Sequence, residues 1–424
     1  MDSNGYEAAR TVLCRRPRPS RCLQSHPVTR SPLLACVAVL APAAPALAEP
    51  EDHVRVGAFM QADARYFADD DKNLYVDQLT FRSLRVQLDA NLDAHHVDVR
   101  ILPDFAGGKL VVQDGYADLH YLRGITLRVG KQKVPFGLER LQTEGTTILA
   151  ERGLPTQVAP NRDLGAALYG EPWPWLSWQL GIFDGVPDGA LTDGDASDHK
   201  EGAARIVVRP LPCWGPWQGL QLGGAATYGH AFGTLAAPDL PAYRTSGQTA
   251  FAAFPAGTTL ADTAVASGRR WRATAQASWF GGPIGAMAEY VRSTEGVKLG
   301  AARADVVAEA WQVAAQWVIT GDAATYRSVV PRHVFDPAHG TWGAVDVVAR
   351  FDELRLDPDA FAAGVADPAK AARRARGYTV GADWFWSRDV RLDLDLERTT
   401  FRGGAKAENR PREDSVIGRV QVAF

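Results

Sequence analysis

The sequence is poor in cysteine and methionine, with four and three in 424 residues. It has no apolar run of the ~20 residues that a membrane-spanning helix needs. The longest, around residues 33–48, is short and broken by proline, which excludes a helical membrane protein. A basic excess is also missing, because 46 Lys+Arg face 49 Asp+Glu for a net charge of −3. Residues 1–48 hold six Arg against only Asp2 and Glu7, so taking this +4 segment from −3 leaves −7. Nucleic-acid binding, whose footprint is a concentrated basic patch, is not expected. Cys14, Cys22 and Cys36 lie in the same segment, so a chain cleaved after it keeps only Cys213. That chain has no intrachain disulfide and no cysteine-based zinc site. A G-x-S-x-G, a phosphate-cradling glycine loop and a Ser/His/Asp cluster are all lacking, so neither an enzyme nor a cofactor is expected. His95-His96 would point to opposite faces of a strand, and they read as a polar turn rather than a metal site.

What is present begins with an address. Arg30 precedes the apolar stretch 33–41 (LLACVAVLA), which runs on to Ala46-Leu47-Ala48, a small-x-small cleavage pattern. Residues 1–48 therefore read as a cleaved export segment, and residues 49–424 as the mature domain. The leader is long for its kind, which points to a true start near Val28.

From His53 onward the dominant signal is alternation with period two, which puts every second side chain on one face of a sheet. Leu84, Val86, Leu88, Ala90 and Leu92 alternate with Ser83, Arg85, Gln87, Asp89 and Asn91. Leu392, Leu394 and Leu396 do the same against Arg391, Asp393 and Asp395. Sixteen such segments occur, at 54–67, 77–92, 95–105, 112–122, 125–136, 164–171, 176–185, 201–211, 220–230, 271–282, 284–297, 305–320, 341–357, 376–389, 390–401 and 414–424. Connections alternate between short and long, as the turns and loops of an outer-membrane barrel do. The exception is 321–340, long where a short turn is due. The acid-rich stretches 69–71 and 188–198 lack the ligand register of a calcium loop and read as exposed external loops.

An apolar face turned outward is costly in water and natural in lipid, where a closed barrel satisfies every backbone group. The fold class is therefore all-β, a 16-stranded antiparallel transmembrane barrel closed by a terminal aromatic strand ending in Phe424. Trp173, Trp175, Trp178, Trp271, Trp279, Trp342, Trp384 and Trp386 sit near strand ends and suit interfacial girdles. A barrel of this size encloses water. On the polar phase stand Arg85, Arg100, Arg128, Arg205, Arg209, Arg272, Arg350, Arg391 and Arg419, opposed by Asp89, Asp98, Asp346, Asp352, Asp383, Asp393, Asp395 and Glu397. The signs nearly balance, so counting leaves an anion filter and a mixed wall both open. A general pore and a secreted soluble β-rich binding protein are the alternatives.

The connection 137–163 is too long for a structureless loop and so reads as functional. Around it stand Gly130, Lys133, Pro135, Phe136, Leu138 and Glu139, then Glu151, Arg152, Leu154 and Pro155, then Ala159, Pro160, Arg162 and Gly165. These residues resemble the phosphate-selective porin O/P family, with its G-x-x-K-x-P-F-x-L-E, E-R-x-L-P and A-P-x-R-x-x-G runs. Pro103-Asp104-Phe105 with Gln113-Asp114-Gly115-Tyr116, Ile319-Thr320-Gly321-Asp322, and Thr341-Trp342-Gly343-Ala344 leading to Arg350 are similar to further family elements. The resemblance implies a trimeric porin of a Gram-negative outer membrane, in contact with its lipid. Its third external loop would fold inward as a constriction for small anions such as phosphate or polyphosphate. The residues it implies for the constriction are Lys131, Lys133, Arg140, Arg152 and Arg162, with Arg85, Arg128, Arg205 and Arg209 along the pathway. The dense arginine ladder of phosphate-specific members is not found, since only Arg205 and Arg209 stand as a spaced pair.

Overall fold

The computed structural model describes residues 52–68, 74–194, 198–406 and 408–424. The export segment 1–48 and the acidic triplet Asp69-Asp70-Asp71 lie outside the described residues. Sixteen strands close into one antiparallel barrel. They are β1 (His53–Ala68), β2 (Gln78–Leu92), β3 (Val97–Asp104), β4 (Val111–Leu122), β5 (Ile125–Lys133), β6 (Arg162–Trp173), β7 (Leu176–Phe183), β8 (Glu201–Val208) and β9 (Gln221–Phe232), then β12 (Val265–Gly281), β13 (Ile284–Leu299), β14 (Ala302–Val318), β17 (Ala344–Leu356), β18 (Ala372–Phe385), β19 (Val390–Gly403) and β20 (Glu413–Ala423). Two small hairpins sit in connections, β10 (Ala242–Arg244) with β11 (Ala250–Ala253), and β15 (Phe335–Asp336) with β16 (Thr341–Trp342).

Each of the sixteen expected segments is a barrel strand, and the differences lie at their ends. β12 starts at Val265, before the expected 271, because the register shifts between Ala266 and Arg270 and blurs the alternation there. β8 stops at Val208, so Arg209 stands past the strand and donates to the Pro174 carbonyl at 3.0 Å. The long connection 319–343 is real, and it carries the β15–β16 hairpin. On the opposite end, β13 and β14 are joined by only Gly300 and Ala301, a tight turn. His95-His96 form the expected turn, with His96 in the left-handed region at φ 54°.

The two faces of the sheet differ as period two requires. On β19 Asp393 and Asp395 are 4% and 2% exposed, whereas Leu394 and Leu396 are 53% and 49% exposed. The apolar phase thus covers the outside of the cylinder, where hydrocarbon takes the place of water. Tryptophans gather at the barrel end that carries the chain termini. Trp173 and Trp175 stack at 5.1 Å beside one turn, and Phe335 packs on Trp342, Trp384 and Trp386 beside two others. Trp271 departs from the expected girdle, since it lies mid-strand on β12.

Buried apolar side chains pack between the barrel wall and the connections. Val134, Phe136, Leu154 and Val158 meet Val291, Ala310, Leu354 and Ala375 of the wall, together with Tyr243 and Phe251 of the β10–β11 hairpin. Leu138, Ile148 and Leu149 meet Met287, Ala314 and Val348. Because Leu396 faces outward midway along its strand, Leu396→Arg is expected to cost roughly 2–4 kcal/mol of barrel stability in lipid. Denaturant titration of folding into lipid vesicles measures this, and an unchanged midpoint would mean that the face does not touch hydrocarbon.

Candidate pore-lining site

The site is rooted where β5 ends. Gly130 holds φ 126°, a backbone conformation that side chains rarely adopt, and a Cβ there would strike the Gly115 carbonyl. Pro135 then stops the strand, since it has no N–H for the ladder. The following segment, 134–161, runs through three short 3-10 turns, Glu139–Leu141, Glu144–Thr146 and Leu154–Gln157.

This segment is tied to polar-phase side chains from widely separated strands. Its N–H groups donate outward from Leu138 to Glu289 of β13 (2.6 Å), from Ala150 to Asp395 of β19 (2.7 Å) and from Leu154 to Asp352 of β17 (3.1 Å). Its carbonyls accept from Arg391 at Thr147 (2.8 Å), from Arg419 at Ala150 and from Arg350 at Glu151 (2.7 Å). The Glu151 carboxylate gathers Arg65 (2.5 Å), Arg82 (2.7 Å) and Arg419 (3.0 Å). Gly153 passes so close to the wall that a Cβ would lie 3.0 Å from the Asp352 carboxylate.

The predicted residues divide by their partners. Arg162 pairs with Asp114 at 2.8 Å, and Arg85 with Asp104 at 2.7 Å and with Glu144. Arg152 reaches Glu144 at 3.4 Å and the Gln142 carbonyl at 2.8 Å. Arg128 makes a two-pronged pair with Asp118 at 2.6 Å and lies over the Tyr116 ring. Lys131 pairs with Asp193 on another connection. Lys133 and Arg140 differ from these. Lys133 Nζ donates to the Gln142 carbonyl at 2.5 Å and to that of Leu141 at 3.4 Å, and Arg140 donates to the Thr156 carbonyl. Among the described residues neither forms an ion pair.

The structure brings Lys133, Arg140, Arg152 and Arg162 into one cluster around Glu144 and leaves Arg205 and Arg209 apart from it. Burial, and then the charges of Arg152 and Arg162, push the Arg140 guanidinium down to about 9. Burial acts to raise Glu144, yet Arg85, Arg152, Arg82 and Arg162 hold it well below the usual carboxylate range. The Glu144 direction reflects the guanidinium groups around it, whereas the Arg140 direction reflects burial first and its cationic neighbours second.

Several participants were not foreseen. Arg82 falls on the apolar phase by alternation, but a register shift between Gln61 and Ala62 skips it and lets it reach Glu151. An arginine in an apolar phase was the available signal. Tyr326, on the long connection 319–343, donates to the Leu138 carbonyl at 2.6 Å and accepts from Gln142 at 2.7 Å. Asp188 corrects the expectation of an exposed acidic loop, because it is 4% exposed and bound by Arg272 at 2.5 Å and by Tyr243 at 3.3 Å.

A sequence profile of the family described as phosphate-selective porin O and P matches residues 54–424. Among curated proteins no sequence matches. Solved structures share the fold. The outer membrane channel DcaP of Acinetobacter baumannii is 13% identical, with a TM-score of 0.58, covering 88% of this chain and 97% of that one. The anion-selective porin of Comamonas acidovorans is 11% identical, with a TM-score of 0.55, covering 88% and 100%. The trimer form of OmpT from Vibrio cholerae is 10% identical, with a TM-score of 0.54, also covering 88% and 100%. With its closed barrel of sixteen strands and a match spanning nearly all of the described chain, the protein belongs to the phosphate-selective porin O and P family and is an outer-membrane channel for small solutes.

Proposed function

We propose that the channel passes small anions, phosphate or polyphosphate among them, and that segment 134–161 is its constriction. In this reading the chain is exported by residues 1–48, catalyses no reaction and works as a homotrimer, the form in which a fold relative from Vibrio cholerae was solved. The observation that carries the reading is the pair Lys133 and Arg140, basic side chains bound only to backbone carbonyls beside the paired Arg152 and Arg162. A hydrated oxyanion entering there trades water for guanidinium and ammonium donors. Because each such site is weak, the ion can also leave. The neutralisation of Arg85, Arg128, Arg152 and Arg162 by carboxylates favours a second reading, a general pore with mild selectivity.

In planar bilayers under a salt gradient, Lys133→Glu and Arg140→Glu are each expected to move the reversal potential towards cations. Unchanged potentials in both would remove these residues from the filter. A second outcome follows from Glu151. Burial acts to raise its pKa, but Arg82, Arg65 and Arg419 outweigh it and hold the carboxyl well below the usual range. A carboxylate lowered in this way contributes its full stabilisation above its unfolded value, about pH 4.3, and loses it as pH falls through the lower, folded value. Current through the protein is therefore expected to be steady at neutral and mildly acidic pH and to turn noisy only in strong acid. Glu151→Gln is expected to be noisy already at neutral pH, and a quiet variant would mean that the segment is held by other contacts.

A further inference from the structure

Away from segment 134–161, the wall formed by β7, β8, β9 and β12 carries polar side chains that the fold leaves without partners. Gln179 lies directly opposite Arg205, Arg205 opposite Ala225, and Ala225 opposite Thr274. The three polar residues thus stand in one row across four strands. Gln276 and Ser278 follow on the same face of β12. Thr274, Gln276 and Ser278 are 7%, 6% and 3% exposed. Between Arg205 and β12 the facing β9 positions are Gly223 and Ala225, which keep the wall low. A Cβ on Gly223 would come within 3.0 Å of the Gln276 amide nitrogen.

Arg205 Nη2 donates to Gln276 Oε1 at 3.4 Å, which turns the Gln276 amide nitrogen away as a further donor. That nitrogen, Arg205 Nε, Thr274 Oγ1 and Ser278 Oγ have no hydrogen-bond partner. Among the described residues Arg205 forms no ion pair. Glu289 is the carboxylate whose charge it feels, and that side chain already accepts from the N–H groups of Leu138 and Glu139. Buried donors without acceptors are costly, and a guanidinium gains most from a planar or tetrahedral oxyanion that can take two of its N–H groups.

We propose that Arg205, Gln276, Thr274 and Ser278 form an oxyanion subsite on the channel wall, and that it takes singly charged oxyanions. One guanidinium surrounded by neutral donors compensates one negative charge. A dianion would keep a surplus facing Glu289. A carboxylate head group and dihydrogen phosphate share this chemistry. The proposal rests on the anion-channel reading, which the Lys133 and Arg140 variants test separately.

The test uses the full chain in planar bilayers with chloride as the current carrier. Sodium acetate or inorganic phosphate is added, and the concentration that halves the current is read. In the wild type both are expected to block, phosphate more strongly at about pH 5.5 than at about pH 8, where it is mainly the dianion, and acetate equally at both. Arg205→Gln is expected to raise the half-block concentration about tenfold for each. Gln276→Leu and Arg205→Lys, which keeps the charge but not the fork, are expected to raise it by less. Heat-modifiable migration on a gel shows that each variant is a folded barrel. Block unaltered in Arg205→Gln overturns the subsite, and block in Arg205→Lys equal to the wild type reduces it to plain charge attraction. Phosphate block stronger at about pH 8 overturns the preference for one charge. Loss of block in Arg205→Gln in a channel whose reversal potential favours cations would sink the anion-channel reading while leaving the subsite standing.

Discussion

Everything in this barrel depends on the pairing of its first strand with its last. β1 and β20 run antiparallel from Phe59 opposite Ala423 to Ala68 opposite Asp414, and Ala58 and Phe424 exchange backbone bonds at 2.8 and 3.0 Å. In hydrocarbon an unpaired N–H or C=O has no water to turn to, so an open sheet would carry two ruinous edges. Closure removes both edges, and once the sheet is closed its two faces lose their equivalence. The apolar phase meets lipid, and the polar phase is confined to the inside.

Sixteen strands enclose more space than wall side chains can fill. Several connections are held against the polar phase of the wall by arginine–carboxylate clusters. Arg350 contacts Asp352 at 3.0 Å, Glu397 at 3.5 Å, the Glu151 carbonyl at 2.7 Å and the Ser246 hydroxyl at 3.0 Å. Arg272 ties Asp188 and Glu201, both at 2.5 Å, to the Val186 carbonyl at 2.6 Å. Such pairs add little net stability, because removing each ion from water costs several kcal/mol that their attraction must offset. Their effect is positional. An arginine with three or four acceptors admits one placement of the segment that supplies them, so the connections are located even though they have few ladder bonds of their own.

The strands were legible because period two survives in sequence wherever one face is greasy and the other wet, as in 83–92 and 390–396. Legibility failed where that contrast fails. Ser267-Gly268-Arg269 hides the start of β12, and the shift that brings Arg82 round to Glu151 shows only as one arginine in the apolar phase. The root of the site was legible for another reason, since Gly130 and Pro135 are demanded by backbone geometry and stand at fixed spacing. Partners were not legible at all. Asp188 and Arg272 are 84 positions apart, and Ala150 and Asp395 are 245 apart, so only the closed fold brings them together.

That last gap explains why a count of inward charges could not decide selectivity. In a wall of mixed sign most charges cancel locally, and a cancelled pair presents a passing ion with a dipole whose field falls quickly. What reaches across the channel is the remainder. Here Lys133, Arg140 and Arg205 are bound to carbonyl or amide oxygens and not to carboxylates. On the same wall Glu289, Asp346 and Asp395 likewise accept only from amide N–H groups, so the charges left over are of both signs. Selectivity in such a channel is set by which charges the fold leaves over, and net charge is a poor guide to it because the sum weighs paired and unpaired groups alike.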